Sequence, residues 1–540
     1  MPTVNLNKRE FEKLVGKNLP LEKLKDRISM LGTDLERIEG NEIIVEVFPN
    51  RPDMLSEQGF ARAFSSFIGV KKGLREYKTK KSSYKLIIDN SVKDIRPYTA
   101  CAVVKNLKFD DEKIKQVIQI QEKLHVSYGR NRKKCAIGIY PLEKIKFPIY
   151  YKALEPEKIK FIPLESNREM NGYEIIEKHP TGKEYGHLLK DKNKFPIFVD
   201  ANNKILSMPP IINSHETGKI TNETKEVFIE VSGFDYETLN KCLNIIVCAF
   251  ADIKGEIYEI ELNYNGKKIT SPNLKPESIS IDINYTNKIL GLSLNEKEIK
   301  NYLERMGYDY KNKAVLIPAY RTDIMHQIDL VEDIAIAYGY ENFKEEIPNV
   351  STIAEEDKFE IFKKKIKDIL VGFNYLECNS YNLISEDVLK KMNFNKDKTK
   401  VSNPVNADYN TLRNWMIPSL MKILSENKHY EYPQSIFETG TVFANKETES
   451  LGLLNCHSNA NFTEVKKILD YLFNALSLSY NLNDVKHGSF IEGRTGEIIC
   501  NGKKLGYIGE INPRVITNFN LEMPVSGFEI NLNELFELLF

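Results

Sequence analysis

The sequence predicts an α+β chain built from several domains, and three observations carry that reading. At 540 residues the chain is too long for one ordinary core. Residues 84–271 are rich in short β-branched and aromatic runs, which read as strands. Segments with apolar residues at the helical period lie on either side of that stretch. Composition narrows the function. An apolar content of 41% with 28% charged residues belongs to a soluble globular protein. Lys plus Arg and Asp plus Glu are both 76, so the net charge is zero. That argues against a simple basic nucleic-acid binder, while leaving room for RNA contact through a local patch or a partner chain. No apolar run approaches the roughly 18 residues of a membrane span, and the opening Met1-Pro-Thr-Val-Asn-Leu has no apolar leader core. The 7 cysteines are scattered without a Cys-x-x-Cys pair, which fits a reducing, cytoplasmic location and argues against zinc.

The elements follow in order. Residues 1–80 open with a short strand, Pro2 to Leu6, then helices over 8–15 and 19–31 and a strand over 42–48. Pro49-Asn-Arg-Pro-Asp53 reads as a rigid turn, with Ser56 or Asp53 capping a helix over 57–68. In residues 84–271, strands are expected at 85–89, 98–104, 136–140, 195–200 and 227–231, with an amphipathic helix over 113–128. Gly129-Arg-Asn-Arg-Lys-Lys134 is basic: a solvated turn, or a nucleic-acid contact. His179 and His187 have no helical metal spacing, and the Pro and Gly between them predict a loop. The two prolines of Leu206-Ser-Met-Pro-Pro-Ile-Ile-Asn213 suit a fixed loop with backbone groups free for a ligand. Ser271-Pro-Asn-Leu-Lys-Pro276 reads as a linker.

Residues 277–348 are expected to hold strands at 280–283 and 315–318 and helices at 284–290 and 295–306. A further helix runs from Ile328 to Tyr338 and ends at Gly339. Asp329, Glu332 and Asp333 sit at i, i+3 and i+4 on that helix, with Asp323 one turn before. Four carboxylates so close suit a hard cation such as Mg2+, or else a solvated acidic helix start that complements the macrodipole. Residues 357–540 begin with a Lys-rich helix over 359–371, followed by strands at 375–383 and 435–443.

These motifs carry a family resemblance. Pro318-Ala-Tyr-Arg-Thr-Asp323, Asp329-Leu-Val-Glu-Asp333 and Tyr338-Gly-Tyr340 resemble the B5 module of the phenylalanyl-tRNA synthetase β subunit. Pro49-Asn-Arg-Pro-Asp53 resembles the end of its N-terminal B1 module. Leu206-Ser-Met-Pro-Pro-Ile-Ile-Asn213 with Ile229-Glu-Val-Ser-Gly233 is similar to the archaeal and eukaryotic B3/B4 editing domain. Phe437-Glu-Thr-Gly-Thr-Val-Phe443, Glu492-Gly-Arg-Thr-Gly496 and Gly506-Tyr-Ile-Gly-Glu510 look like its class II synthetase-type B6/B7 module, an antiparallel sheet. The resemblance orders the chain as B1 over 1–80, B3/B4 over 84–271, B5 over 277–348 and a catalytic-like module over 357–540.

By that resemblance Phe198, Ser207, Pro209, Asn213 and Glu230 line a pocket that hydrolyses mischarged Tyr-tRNA(Phe). Glu230 stands where the archaeal relatives are expected to carry Asp, and His215 and Glu216 are weaker candidates. Asp323, Asp329, Glu332 and Asp333 are implied to bind Mg2+ at a site shared with an α subunit. The C-terminal stretch Glu522 to Leu535 lacks the arginine a working class II site uses on ATP, so this module is expected to be silent in synthesis. ATP would be a substrate of the assembly, with the synthetic site on the α subunit of an (αβ)2 heterotetramer that also binds tRNA(Phe). The alternatives are a free-standing tRNA-editing hydrolase and a non-enzymatic nucleic-acid-binding scaffold.

Overall fold

The structure, a computed structural model, describes residues 2–394 and 398–539. Met1, residues 395–397 and Phe540, which fall inside the predicted first and last modules, lie outside the described residues. The chain forms two compact units, Met1–Glu346 and Ile347–Phe540.

The first unit is organised by two sheets facing each other. One has five strands, in the order Thr79–Lys80, Glu256–Tyr258, Tyr98–Lys105, Val227–Gly233 and Cys135–Pro141. The other has seven, in the order Ile212–Asn213, Ile205–Met208, Phe195–Val199, Ile149–Leu154, Lys85–Ile88, Ile260–Tyr264 and Lys267–Ser271. Strand alternation splits the central residues between two cores. Cys101, Val103, Tyr140 and Phe228 join Leu86, Tyr151, Phe198 and Met208 between the sheets. Ala100, Ala102, Val104, Ile229 and Val231 point the other way, into a larger core.

That larger core is covered by the helices Asp111–Val126 and Tyr236–Asp252 and is continuous with the flanking segments. Val4, Phe11, Phe60 and Phe64 enter it from the N-terminal three-stranded sheet and its helices, and Leu303, Tyr308, Ile334 and Ala337 enter it from 277–340. The three segments that the sequence divides at residues 80 and 276 therefore share one apolar interior. Ser56 caps the helix Glu57–Phe67 by accepting from the Gly59 N–H at 3.0 Å.

One expectation needs correction here. His179 to His187 is not a loop: Pro180–Tyr185 is helical, with His179 as N-cap and Pro180 in the first turn, where its missing N–H costs nothing. The helix Tyr236–Asp252 has no clean polar stripe because it buries Leu239, Leu243, Ile246 and Phe250 along with both cysteines, Cys242 and Cys248. Each such large side chain contributes about 1.5–3 kcal/mol on burial.

The second unit is a seven-stranded sheet, in the order Leu376–Glu377, Gln434–Phe443, Glu447–Cys456, Val525–Asn531, Lys503–Ile511, Phe490–Cys500 and Asn481–Asp484. Every pairing is antiparallel except the first. Helices Lys358–Gly372, Phe462–Ala475 and Leu532–Glu537 pack into one of its two cores, and Ile417–Glu426 and Pro513–Asn518 into the other. The strand expected over 375–383 is only two residues long, Leu376–Glu377. Ser380 leaves the ladder because its N–H and hydroxyl both donate to the Glu438 carboxylate, at 3.2 and 2.7 Å.

Candidate functional site

One cavity of the first unit lies where the edge of the seven-stranded sheet meets the five-stranded one. Its volume is about 100 Å3, and Ser207, Pro209, Asn213 and Glu230 all line it, with Gln121, Glu122, His125 and Arg132 opposite. Glu230 stands in the middle of Val227–Gly233 on the same strand face as Phe228, opposite Gly138 on one neighbour and Cys101 on the other. The register makes room for it. A Cβ on Gly138 would lie 2.1 Å from the Tyr140 hydroxyl and 2.5 Å from Glu230 Oε1. Tyr140 donates to Glu230 Oε1 at 3.1 Å and is held by stacking on Phe228, 5.8 Å between centroids.

The second oxygen, Glu230 Oε2, is buried and has no hydrogen-bond partner. Ser207 Oγ, beside the Tyr140 hydroxyl, also makes no hydrogen bond of good geometry. Buried polar groups left this way are costly unless something else satisfies them. Burial pushes the Glu230 carboxyl up to about 8, against the opposing pull of the Tyr140 hydrogen bond and the Arg96 charge. Asn213 is half-buried at the cavity edge, its Oδ1 3.3 Å from the Tyr140 hydroxyl.

Phe198 is placed differently. It pairs with Ser207 across the ladder but does not line the cavity; its ring is fully buried and stacks on Tyr151 at 4.3 Å. It therefore supports the wall that carries Ser207. His215 and Glu216 are exposed, and Glu216 is ion-paired with Lys204.

The acidic face of the helix Gln327–Tyr338 is also settled locally. Arg321, buried, donates from Nε and Nη2 to both oxygens of Asp323 at 2.8 and 2.7 Å, and from Nη2 to Asp333 at 2.8 Å. Tyr308 donates to the same oxygen of Asp333. Asp329 accepts the N–H groups of Met325 and His326, both at 2.8 Å, as part of a capping box. Glu332 is exposed. Among the described residues no three His, Cys, Asp or Glu side chains converge as a metal site. An ion on this face would need donors from outside this chain. Next to this face, Arg51 and Asp53 of the predicted rigid turn form a buried bidentate pair with both contacts at 2.9 Å.

In the second unit a buried arginine and a helix N-terminus both have partners within the chain. Arg413 is buried and donates to Glu438 at 2.6 Å, to Ser380 at 2.9 Å and to the Thr441 carbonyl at 2.8 Å. The N-terminus of Ile417–Glu426, an anion-binding position, already holds the Glu529 carboxylate, which accepts from the Met416 and Ile417 N–H groups at 2.8 and 3.1 Å.

Comparison with known proteins agrees with this architecture. A family model described as tRNA synthetase B5 domain matches residues 279–340, and one described as Phenylalanyl tRNA synthetase beta chain CLM domain matches residues 344–532. The phenylalanine–tRNA ligase β subunits of Thermococcus sibiricus and Pyrococcus abyssi are 40% and 41% identical to this chain; the alignments cover 99% of it and 99% and 100% of theirs. The chain belongs to the phenylalanine–tRNA ligase β-subunit family. A crystal structure of an N-terminal fragment of the Pyrococcus horikoshii β subunit matches with a TM-score of 0.60 at 40% identity, over 62% of this chain and 99% of that fragment. This β-subunit chain is thus a ligase component in the aminoacyl-tRNA synthetase sense.

Sequence reading of this family member passed over Tyr140, Gly138 and His125. His125 is buried, accepts the Ile137 N–H on Nε2 at 2.8 Å, and is held below its ordinary titration range by that burial. The only signal for Gly138 was a glycine inside a strand, which marks a close approach by another group.

Proposed function

We propose that this chain is the β subunit of an α–β phenylalanine–tRNA ligase and that its own chemistry is editing: hydrolysis of tyrosine wrongly attached to tRNA(Phe). The α subunit would use ATP to activate phenylalanine, in an (αβ)2 assembly in the cytoplasm. The observation that carries the editing reading is the pair of orphaned polar atoms, Glu230 Oε2 and Ser207 Oγ, at the bottom of one cavity.

A synthetic pocket for phenylalanine cannot strongly exclude tyrosine, which only adds a hydroxyl. A second site that hydrogen-bonds that hydroxyl selects in the other direction. A tyrosine phenol reaching Glu230 and Ser207 satisfies both orphaned groups. Phenylalanine leaves them unpaired, at about 1–3 kcal/mol each. Glu230, neutral near pH 7 by the burial that raises it, both donates and accepts toward a phenol. Tyr140 donates to its other oxygen, so Oε2 is the oxygen left for the ligand. Asn213 at the cavity edge is the group placed to orient an attacking water, since no nucleophile–base pair lines the cavity among the described residues.

A shared Mg2+ enters this proposal through Asp323, Asp329, Glu332 and Asp333. Arg321 already neutralises Asp323 and Asp333, so the chain alone is expected to bind no Mg2+ in a calorimetric titration. Appearance of binding only with the α chain present would support a shared site.

The deciding experiment mixes the purified chain with its α partner and measures two reactions. Phenylalanine attachment should require both chains. Deacylation of Tyr-tRNA(Phe) should persist in the wild type and fall at least tenfold in Asn213→Ala. Unchanged deacylation in that variant would sink the editing mechanism, and attachment by this chain alone would sink its silence in synthesis.

A further inference from the structure

We propose that the basic segment Gly129–Lys134 is a phosphate-binding rim of the Glu230 cavity, gripping the single-stranded 3′ end of an RNA whose terminal residue enters it. The inference deepens the editing reading and rests on it for the identity of what enters.

The segment is built to present charge at one place. Arg130, Asn131 and Arg132 are three successive non-glycine residues in the left-handed region, with φ of 48°, 52° and 61°. Such a run is rare and persists only where its surroundings hold it. Here the hold comes from backbone bonds that fold the turn back onto the preceding helix: Gly129 N–H to the Leu124 carbonyl at 2.7 Å and Arg132 N–H to the His125 carbonyl at 3.1 Å. Gly129 itself has no room for a Cβ, which would sit 2.7 Å from the His125 carbonyl oxygen. From below, the buried Arg96 donates to the Arg132 carbonyl at 3.3 Å while gripping Ser232 on the strand that carries Glu230.

One side chain of the turn goes in and the others go out. Arg132 lines the cavity, donates to the Ile211 carbonyl at 2.8 Å and to Glu122 at 3.2 Å, and lies 4.2 Å from the centre of the Tyr185 ring. It ties the turn to the prolyl loop that leads into Asn213. Arg130, Lys133 and Lys134 are exposed, and among the described residues none of them is ion-paired.

Lys133 and Lys134 stand between two lining residues, Arg132 and Ala136. Three exposed cations without a salt bridge among the described residues thus lie within two residues of Arg132, which lines a cavity that also holds Glu230 Oε2 and Ser207 Oγ. A neutral ligand would have no use for those cations. A polyanionic strand ending in an esterified residue uses both parts, with phosphates on the rim and the ester's side chain at Glu230 and Ser207. Electrostatic grip of this kind is sequence-independent and falls with salt.

The test uses the full chain and two fluorescent RNA hairpins, one ending in a four-nucleotide single-stranded 3′ tail and one without it. The wild type should bind the tailed hairpin at least tenfold more tightly. The triple variant Arg130→Glu, Lys133→Glu, Lys134→Glu should lose that difference while binding the tailless hairpin as before. Its log affinity against log salt for the tailed hairpin should flatten by about 2, at about 0.7 per lost single-strand contact. Arg132 is left in place, so the cavity wall is kept, and an unchanged circular dichroism spectrum confirms the fold. No tail dependence in the wild type, full tail dependence in the variant, or equal loss on both hairpins would each overturn the rim. Deacylation of Tyr-tRNA(Phe) by the wild type with its α partner, measured alongside, separates the two readings. Its absence together with a tail-dependent rim would remove editing and leave the RNA site; its presence with no rim effect would do the reverse.

Discussion

Two buried glutamates, one in each unit, are treated in opposite ways. Glu438 has an exposure of 1% and Glu230 of 2%. Glu438 meets Arg413 and two donors of Ser380, with both oxygens engaged. Glu230 meets one phenol on one oxygen and nothing on the other. The same side chain is therefore scaffold in the seven-stranded sheet of the second unit and an open valence in the first. What separates them is the partner count, since burial is equal. The same rule covers the acidic helix, where Arg321 closes Asp323 and Asp333 as Arg413 closes Glu438.

The comparison breaks most visibly at Arg413. Arg413→Ala leaves Glu438 buried and uncompensated, a change that costs about 3–5 kcal/mol. The thermal transition of the second unit should drop by several degrees or disappear. The double variant Arg413→Met, Glu438→Leu removes both charges and should recover most of that loss. If the single variant melts like the wild type, the pair is not a scaffold and the contrast with Glu230 fails.

Glu230 predicts the reverse sensitivity, and it is read through pH. Its folded titration point, about 8, lies above the ordinary 4.5, so the folded state holds a proton that the unfolded state has released between those values. Stability from this group is therefore intact below about pH 4.5 and lost progressively as pH rises toward 8, by up to about 4 kcal/mol. Glu230→Gln cannot ionise. The melting temperature of the first unit should fall from pH 5 to 8 in the wild type and fall less steeply in the variant. Glu57, buried and raised to about 7 mainly by burial, adds a slope of the same sign that the variant keeps. Parallel profiles would show that Glu230 is already satisfied.

Much of this was legible in the sequence, and the rest was hidden for identifiable reasons. The short helices were readable from caps and period: Lys8–Val15 begins and ends as expected, and Glu57–Phe67 differs by one residue. The segment Leu206 to Asn213 and Glu230 were legible as a pair only through the family pattern, because 22 residues separate Ser207 and Glu230, which line one cavity, in the chain. Tyr140 was hidden because an aromatic in a strand ordinarily reads as core, and its ring is core; only its hydroxyl meets Glu230. The turn at 129–134 was legible as a turn, but its left-handed backbone at Arg130 to Arg132 was hidden because such backbone at Arg has no composition signal. The shared interior of the first three segments was hidden because a linker with two prolines, such as Ser271 to Pro276, marks a boundary in sequence whether or not the cores on either side are separate.

Ser207→Ala is the smallest expected change and the finest test of the contrast. A buried hydroxyl that is hydrogen-bonded costs about 1 kcal/mol or more to remove, whereas one without a partner costs little or nothing. Ser207 is 1% exposed and makes no hydrogen bond of good geometry, so the variant should melt within about 0.5 kcal/mol of the wild type. Its effect should fall on the ligand instead. With one of the two groups that meet the tyrosine phenol gone, the preference for Tyr-tRNA(Phe) over Phe-tRNA(Phe) in deacylation should fall about tenfold, the equivalent of one hydrogen bond of about 1.4 kcal/mol. A structural hydroxyl would give the opposite pattern, lost stability with preference unchanged. That outcome would place Ser207 with Glu438 among the closed groups.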